Sequence, residues 1–312
     1  MRVAPGRLAL LLPALLAPAG AAAQSPLGPQ VLQNPATVRA AGLGGAGAAL
    51  MGDAGAVFAN PAGLALVRGV ALEAGYHGAP FDAYQASGAI GIRLRQLDVG
   101  FGVQHFDFGS EPELVPDPAT GGVTGIPTGA RVTARELLAS GSLIYRLGLI
   151  AFGGTVKVVD QHVADLREHG VSGDLGVALA LFDLAALGFA VQNVSGNWDG
   201  GSAMVLPRLT RLGFTLNYVD PQETFRLLST IEGQWSQAAA ARLILGVEGG
   251  IVVQGVGVLI RGAYGSRPAD AALSRFTGGL SVTVGALTVD YAYTPTVLLG
   301  GGEQRIGLRF GV

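Results

Sequence analysis

LTVDYAY, Leu287 to Tyr293, is the stretch that decides how the rest of this chain is read. Leu287, Val289, Tyr291 and Tyr293 occupy every second position, with Thr288, Asp290 and Ala292 between them. Successive side chains of a β-strand point to opposite faces, so this strand has one bulky apolar side and one small or polar side. The pattern recurs in Ile306, Leu308 and Phe310 around Gly307 and Arg309, and in Leu280, Val282 and Val284 around Ser281 and Thr283. It recurs again in Leu212, Phe214, Leu216 and Tyr218, in Leu175, Val177, Leu179 and Leu181, and in Ile90, Ile92 and Leu94. A soluble sandwich would turn the bulky face into a core. A membrane barrel turns it toward lipid and leaves the polar face to the lumen.

Composition decides between them. Charged residues make up 13% of the 312 positions and hydrophobic residues 49%, with 50 glycines. About 25% charge is usual for a soluble domain. No internal run of about 18 apolar residues exists that would give a membrane helix. Alternation is the remaining way to be apolar, so the expected fold is all-β: a transmembrane antiparallel barrel. The formal net charge of −2 offers no basic surface for nucleic acid, and the absence of cysteine excludes disulfides and thiolate metal sites.

About fourteen strands are expected, near 70–76, 83–95, 97–107, 131–146, 148–160, 169–181, 184–194, 206–218, 224–236, 240–251, 255–266, 273–284, 286–294 and 303–310. Connections after even strands are short; those after odd strands are mostly longer, 108–130 the longest. Short periplasmic turns and longer outer loops give that alternation, with both ends of an even-stranded barrel in the periplasm. Tyr76, Tyr145, Tyr218, Trp235, Tyr264, Tyr291 and Phe310 fall near strand ends, where interfacial belts lie. Phe310 closes the last strand, which the barrel-assembly machinery would read.

The N-terminus has Arg2 and Arg7, an apolar core over 8–17 and Ala21-Ala22-Ala23. That is the form of a secretory signal peptide over 1–23, cut near Ala23. Residues 24–66 then form a periplasmic leader and luminal segment, and 67–312 the barrel. The leader starts proline-rich and is expected to be extended. Residues 37–50 read as loosely helical, Asp53 as the cap of a short turn through Phe58, and Asn60-Pro61 as the break that turns the chain out toward the first strand. A small-residue segment ahead of a wide barrel reads as an internal plug. Inward glycines, alanines and serines on the strands leave room for it.

Strand parity turns Arg93, Asp98, Lys157, Arg211, Glu232, Arg242, Glu248, Arg261, Arg275, Asp290, Arg305 and Arg309 into the lumen. They are read as a lined pathway, as anchors for the plug, or as the mutual ion pairs any barrel lumen needs. Gly42-Leu43-Gly44-Gly45-Ala46-Gly47 spells G-x-G-x-x-G, but no strand precedes it and no βαβ unit surrounds it. It is read as a close-packed backbone segment. His77, His105, His162 and His169 show no metal-ligand spacing, and no G-x-S-x-G is present. No cofactor, metal or enzymatic activity is expected.

The run GLGGAGAALMGDAGAVFANPAGLA, residues 42–65, resembles the N-terminal signature of FadL-like outer-membrane proteins, and their PorV/PorQ branch in particular. Gly44, Gly47, Asp53, Asn60, Pro61 and Gly63 carry the likeness. It implies a fourteen-stranded outer-membrane barrel of a Gram-negative bacterium whose N-terminal segment is a luminal hatch. FadL-type members pass hydrophobic compounds, such as fatty acids or aromatic hydrocarbons, from outside and sideways into the membrane. PorV/PorQ-type members serve type IX protein secretion, with cargo proteins as partners. Short outer loops tilt the reading toward the PorV/PorQ branch, as an accessory to protein export or surface attachment. A passive channel for hydrophobic small molecules is the alternative; lipids of the outer membrane surround the barrel in either case.

Overall fold

The computed structural model describes residues 28–79, 82–181, 184–194, 206–222, 224–237, 239–266, 273–296 and 302–312. The signal peptide assigned to 1–23 lies outside the described residues. Fourteen antiparallel strands form a closed barrel. They are β1 (Val70–Gly78), β2 (Tyr84–Leu94), β3 (Leu97–Pro116), β4 (Gly125–Leu147), β5 (Ile150–Val163), β6 (Leu166–Leu181) and β7 (Ala185–Gln192), followed by β8 (Leu209–Val219), β9 (Phe225–Ser236), β10 (Arg242–Val253), β11 (Val256–Gly265), β12 (Phe276–Val284), β13 (Leu287–Pro295) and β14 (Gly302–Gly311). Each strand pairs with its sequence neighbours, and β1 closes on β14, with Leu72 opposite Phe310 on one side and Ile90 on the other.

The alternation sets which face is out. Leu72, Phe101, Leu143, Phe152, Leu175, Val247, Ile260 and Leu308 point outward, each 43–66% exposed. Between them Gln104, Ser142, Thr155, Asp174, Arg261, Ser281 and Asp290 are buried. The barrel is apolar outside and polar inside, and a continuous apolar exterior of that breadth is a lipid-facing surface. Tyr76, Tyr145, Tyr218, Trp235, Tyr291 and Phe310 are exposed on this exterior.

Turns after even strands are tight. At Gln254-Gly255 both residues have positive φ, 51° and 79°, as a two-residue hairpin turn with the twist of its strands requires. Val70 and Val312 exchange backbone hydrogen bonds at this same end of the barrel, which is therefore the periplasmic one.

Two expected loops are strands instead. Residues 108–130 are extensions of β3 and β4 that stay paired as far as Pro116 and Gly125, leaving 117–124 as the tip. Pro112, Pro116 and Pro127 are tolerated because this ribbon pairs with no third strand, so a missing N–H on its outer edge interrupts nothing. Register shifts between Asp107 and Ser110, and between Pro112 and Leu114, absorb the irregularity. Residues 161–168 likewise continue β5 and β6 to a two-residue turn, with Ala164 at φ 52°.

The hydrophobic core is the lumen. Residues 28–69 run through it as α1 (Gln30–Gln33), α2 (Val38–Gly42) and two 3-10 turns, Ala54–Phe58 and Pro61–Leu66. The leader is thus not extended throughout, and the helix in 37–50 is confined to five residues. Thr37 caps α2 by accepting from the Ala40 N–H at 3.2 Å.

Candidate functional site: the luminal hatch and its seat

Residues 42–48 form a loop that wall side chains hold by its backbone. Gly44 and Gly45 have φ of 73° and 91°, a conformation that disfavours any other residue. The Glu232 carboxylate, 1% exposed, accepts from the N–H groups of Gly47 and Ala48, both at 2.7 Å. It also accepts from Arg211 at 3.0 Å and from Gln234 at 2.8 Å. Arg211 and Gln234 donate to the Gly45 carbonyl, Arg242 to that of Gly44 and Thr277 to that of Gly42. The G-x-G-x-x-G spelling therefore encodes a tight loop against a barrel wall. Glu232→Ala strands two buried N–H groups and takes from the Arg211 guanidinium its carboxylate partner. Amide exchange at Gly47 and Ala48 is expected to speed up at least about a hundredfold, read by hydrogen–deuterium exchange, with strand amides unchanged.

Asn60 is fully buried. Its amide donates to the Ala48 carbonyl at 2.7 Å and to that of Val177 on β6 at 3.2 Å, while its Oδ1 accepts from the Ala62 N–H at 3.1 Å. Asn60-Pro61 thus starts the second 3-10 turn deep in the lumen. The expectation that it turns the chain outward is corrected: the chain leaves the lumen at Val67–Gly69, where Gly69 accepts from the Arg93 N–H. Proline at the first position of that turn fits, since its missing N–H lacks a helical partner anyway.

The wall is shaped for this segment. A Cβ on Gly153 would lie 2.6 Å from the Ala62 nitrogen, and one on Gly176 would collide with Asn60 Oδ1. One on Gly102 would lie 2.6 Å from the Phe58 ring, and one on Gly188 would collide with the Ala48 carbonyl. Within the segment, a Cβ on Gly47 would lie 2.6 Å from Ala59 Cβ, and one on Gly63 3.0 Å from Ala56 Cβ. Leu64, Val57, Ala62 and Ile144 are buried together where these surfaces meet.

A closed ring of alternating charges joins segment and wall. Arg39 bonds Asp53 at 2.6 Å and Glu248 at 2.7 Å. Arg261 bonds Glu248 at 2.9 Å and Asp290 at 2.9 Å. Arg309 bonds Asp290 at 2.5 Å and returns to Asp53 at 3.0 Å. Ser281 also hydrogen-bonds Asp290. Arg39 and Asp53 belong to the luminal segment, and the other four to β10, β11, β13 and β14. Each carboxylate lies between two guanidiniums, which offsets the cost of burying it. Asp53 accordingly does not cap the first 3-10 turn with its side chain; its two oxygens are taken by arginines. Burial pushes the Asp53 carboxyl up, but the charges of Arg309 and Arg39 outweigh this and hold it below the ordinary carboxylate range. A depressed pKa keeps this contact in place at every pH above the ordinary value of about 3.9, and it fails only as pH falls below that.

The other expected lumen residues spread out. Asp98 is buried 2.8 Å from Arg146, and Lys157 pairs with Asp174 at 2.8 Å. Arg305 donates to the Pro35 carbonyl at 2.8 Å, and Arg93 to that of Val67 at 3.2 Å. Arg275 precedes β12 and is exposed, so it stands apart from the network: the strand expected over 273–284 begins only at Phe276. Several partners were not anticipated, Arg146, Gln234 and Thr277 among them. Glu73 accepts from the Gly55 N–H at 2.9 Å, and Glu136 from that of Val31 at 3.0 Å. Asp174 and Arg39 are two more. The alternation places Glu73, Glu136 and Asp174 inward and was sufficient to find them. Arg39 sits in a segment without period, and nothing local marks it.

At the outer end of the lumen the inward face turns apolar. Val31, Phe106, Leu138, Val159 and Leu206 are buried together, with Leu32, Phe58, Ala83 and Phe108 against them. Beside them is a cavity of only about 50 Å³ between segment and wall, bounded on its polar side by Lys157, Asp174, Gln192 and Arg211.

No protein-family model matches the chain, and neither does any curated protein sequence. Solved structures do match in shape. The Ralstonia pickettii toluene transporter TbuX aligns over 89% of this chain and 98% of its own at 14% identity, with a TM-score of 0.59. The Pseudomonas putida toluene transporter TodX aligns over 88% of this chain and 96% of its own at 13% identity, with a TM-score of 0.58. A Pseudomonas aeruginosa FadL homologue aligns over 88% and 97% at 14% identity, with a TM-score of 0.55. The chain therefore has the fold of FadL-like outer-membrane channels.

Proposed function

We propose that this protein is a passive, non-enzymatic outer-membrane channel for small hydrophobic compounds, with residues 28–66 as its movable hatch. The observation that carries the reading is the apolar cluster at the outer end of the lumen. It puts Phe106, Leu138 and Val159 on inward positions that elsewhere are mostly small or polar, Ile144 and Ile244 apart, and it rests on Phe58 of the hatch. The cluster is closed over by Val31 and Leu32 of the hatch, and the gap of about 50 Å³ beside it is too small to pass a solute, so an apolar solute gains this surface only when the hatch shifts. Passage requires the hatch to move. The toluene transporters TodX and TbuX share this architecture, and toluene is the first solute to test. Gram-negative cells expressing the barrel should take up labelled toluene several-fold faster at low micromolar concentration than cells with an empty vector. Equal rates, with the folded barrel present in the outer membrane, would sink the reading.

One feature favours a second reading, a PorV/PorQ-like accessory to protein export. The β3–β4 ribbon carries exposed Leu114, Val115, Val123 and Ile126, from 44% to 88% accessible, a surface suited to a protein partner. Removing residues 112–128 should leave toluene uptake unchanged under the channel reading, whereas loss of a surface-displayed protein from the cells would support the export reading.

A further inference from the structure

The gap of about 50 Å³ between hatch and wall has a polar floor that hydrocarbon passage leaves unused. Lys157 on β5, Asp174 on β6, and Gln192 and Asn193 at the outer end of β7 line it, and all four are buried. They converge on one carboxylate. Asp174 accepts from the Lys157 ammonium with both oxygens, at 2.8 and 2.9 Å. It also accepts from the Asn193 N–H at 2.8 Å and from the Gln192 amide at 3.4 Å. Gln192 donates to the Phe58 carbonyl at 2.7 Å as well, which ties this floor to the hatch. Two hydrogen-bonding positions are left over. The Asn193 Oδ1 is buried and accepts from nothing among the described residues. Its orientation is fixed: the Asn193 amide nitrogen donates to the Pro207 carbonyl at 2.7 Å, and a flipped amide would set two oxygens against each other. The Lys157 ammonium carries three protons, and Asp174 takes two of them.

We propose that this gap is a subsite for the hydroxyl of an otherwise apolar alcohol or phenol, whose body lies on Phe106, Leu138 and Val159. A hydroxyl both donates and accepts, so one group answers the Asn193 Oδ1 and the remaining Lys157 proton together. A hydrocarbon is the poorer occupant, because it leaves those buried polar groups unpaired. A carboxylate is poorer for a different reason. The charges lining the gap are already matched, Lys157 by Asp174 and Arg211 by Glu232, so an added anion meets no free counter-charge. An ionised carboxylate also brings no proton for Asn193. The gap admits a hydroxyl but no ring, so the body takes the place of Val31 and Leu32 on the apolar cluster. That seat and the shifting hatch are those of the channel reading, on which the subsite therefore rests.

The test is equilibrium dialysis against the full-length barrel in lipid nanodiscs, with empty nanodiscs giving the partition into lipid. The probes are para-ethylphenol, its methyl ether para-ethylanisole, ethylbenzene and para-ethylbenzoate. The phenol should bind at least about tenfold more tightly than the other three. The ether isolates the donated proton, since it keeps the ring and the oxygen. Asn193→Gly removes the acceptor at a position whose φ of 57° glycine adopts freely. It should bring the phenol to within about twofold of the ether, whereas a site merely loosened would weaken both alike and keep their ratio. The heat-modifiable gel shift checks that this variant is a folded barrel, and the wild-type order of probes decides by itself if it is not. Equal wild-type binding of the phenol and either the ether or ethylbenzene, tighter binding of the benzoate, or an unchanged phenol-to-ether ratio in folded Asn193→Gly overturns the proposal. Toluene uptake without a preference for the phenol sinks the subsite alone. Preferred binding of the phenol without toluene uptake upholds the subsite and sinks hydrocarbon passage.

Discussion

Gly188→Val is expected to turn a plugged barrel into an open pore. Gly188 faces inward on β7, where a Cβ would strike the Ala48 carbonyl and lie 2.5 Å from its carbon and 3.0 Å from the Ala49 nitrogen. These obstacles are backbone atoms, so no rotamer change relieves them. Glu232 grips Gly47 and Ala48 from the neighbouring wall, which blocks a small sideways adjustment. Something larger must yield. The strands are held by a closed ladder of fourteen, whereas the hatch is held by side chains, so the hatch leaves its seat. Single-channel conductance in planar bilayers should rise at least several-fold over the wild-type barrel. Gly154→Val is the control, since a Cβ there meets nothing within 4 Å. An unchanged conductance for Gly188→Val in a correctly assembled barrel would show that residues 42–48 are not seated as described.

Asp290→Ala is expected to cost the most in stability. Asp290 is 1% exposed and bridges Arg261 and Arg309. Removing it leaves the fully buried Arg261 guanidinium with Glu248 as its one remaining carboxylate, and Arg309 with Asp53 as its own. Breaking a buried ion pair by deleting one partner typically costs about 3–5 kcal/mol. The midpoint of urea unfolding in lipid or micelles should fall accordingly, while Asp117→Ala at the exposed ribbon tip should shift it by less than about 0.5 kcal/mol. Equal shifts for the two variants would mean that the ring is not a buried network.

The barrel was legible in the sequence because period-2 alternation is a local property. LTVDYAY reports its own two faces without any neighbour, and fourteen such stretches fix a wall. The same parity places Glu232, Arg261 and Asp290 inward. What it leaves open is partnership: nothing about Glu232 in isolation says that its acceptors serve Gly47 and Ala48, some 185 positions away. The hatch was legible only by elimination, as the segment with no period. Its internal course was misread where one residue has two plausible uses. Asp53 reads as a cap but is claimed by two arginines, and Asn60-Pro61 reads as a terminator but opens the next turn. The ribbon at 108–130 reads as a loop because its prolines are turn signals, and their being tolerated depends on a missing third strand. Arg275 failed for a simpler reason: the strand expected from 273 begins at Phe276.

The chain has no cysteine, so a single engineered disulfide can fasten the hatch to the wall. A Cβ on Gly213 would lie 3.3 Å from Ala49 Cβ, close to the disulfide range of about 3.5–4.5 Å. In cells expressing Ala49→Cys with Gly213→Cys, oxidation should lower toluene uptake to the empty-vector rate, and reduction should restore it. Undiminished uptake through a fully cross-linked barrel would contradict a hatch that moves to let solute pass.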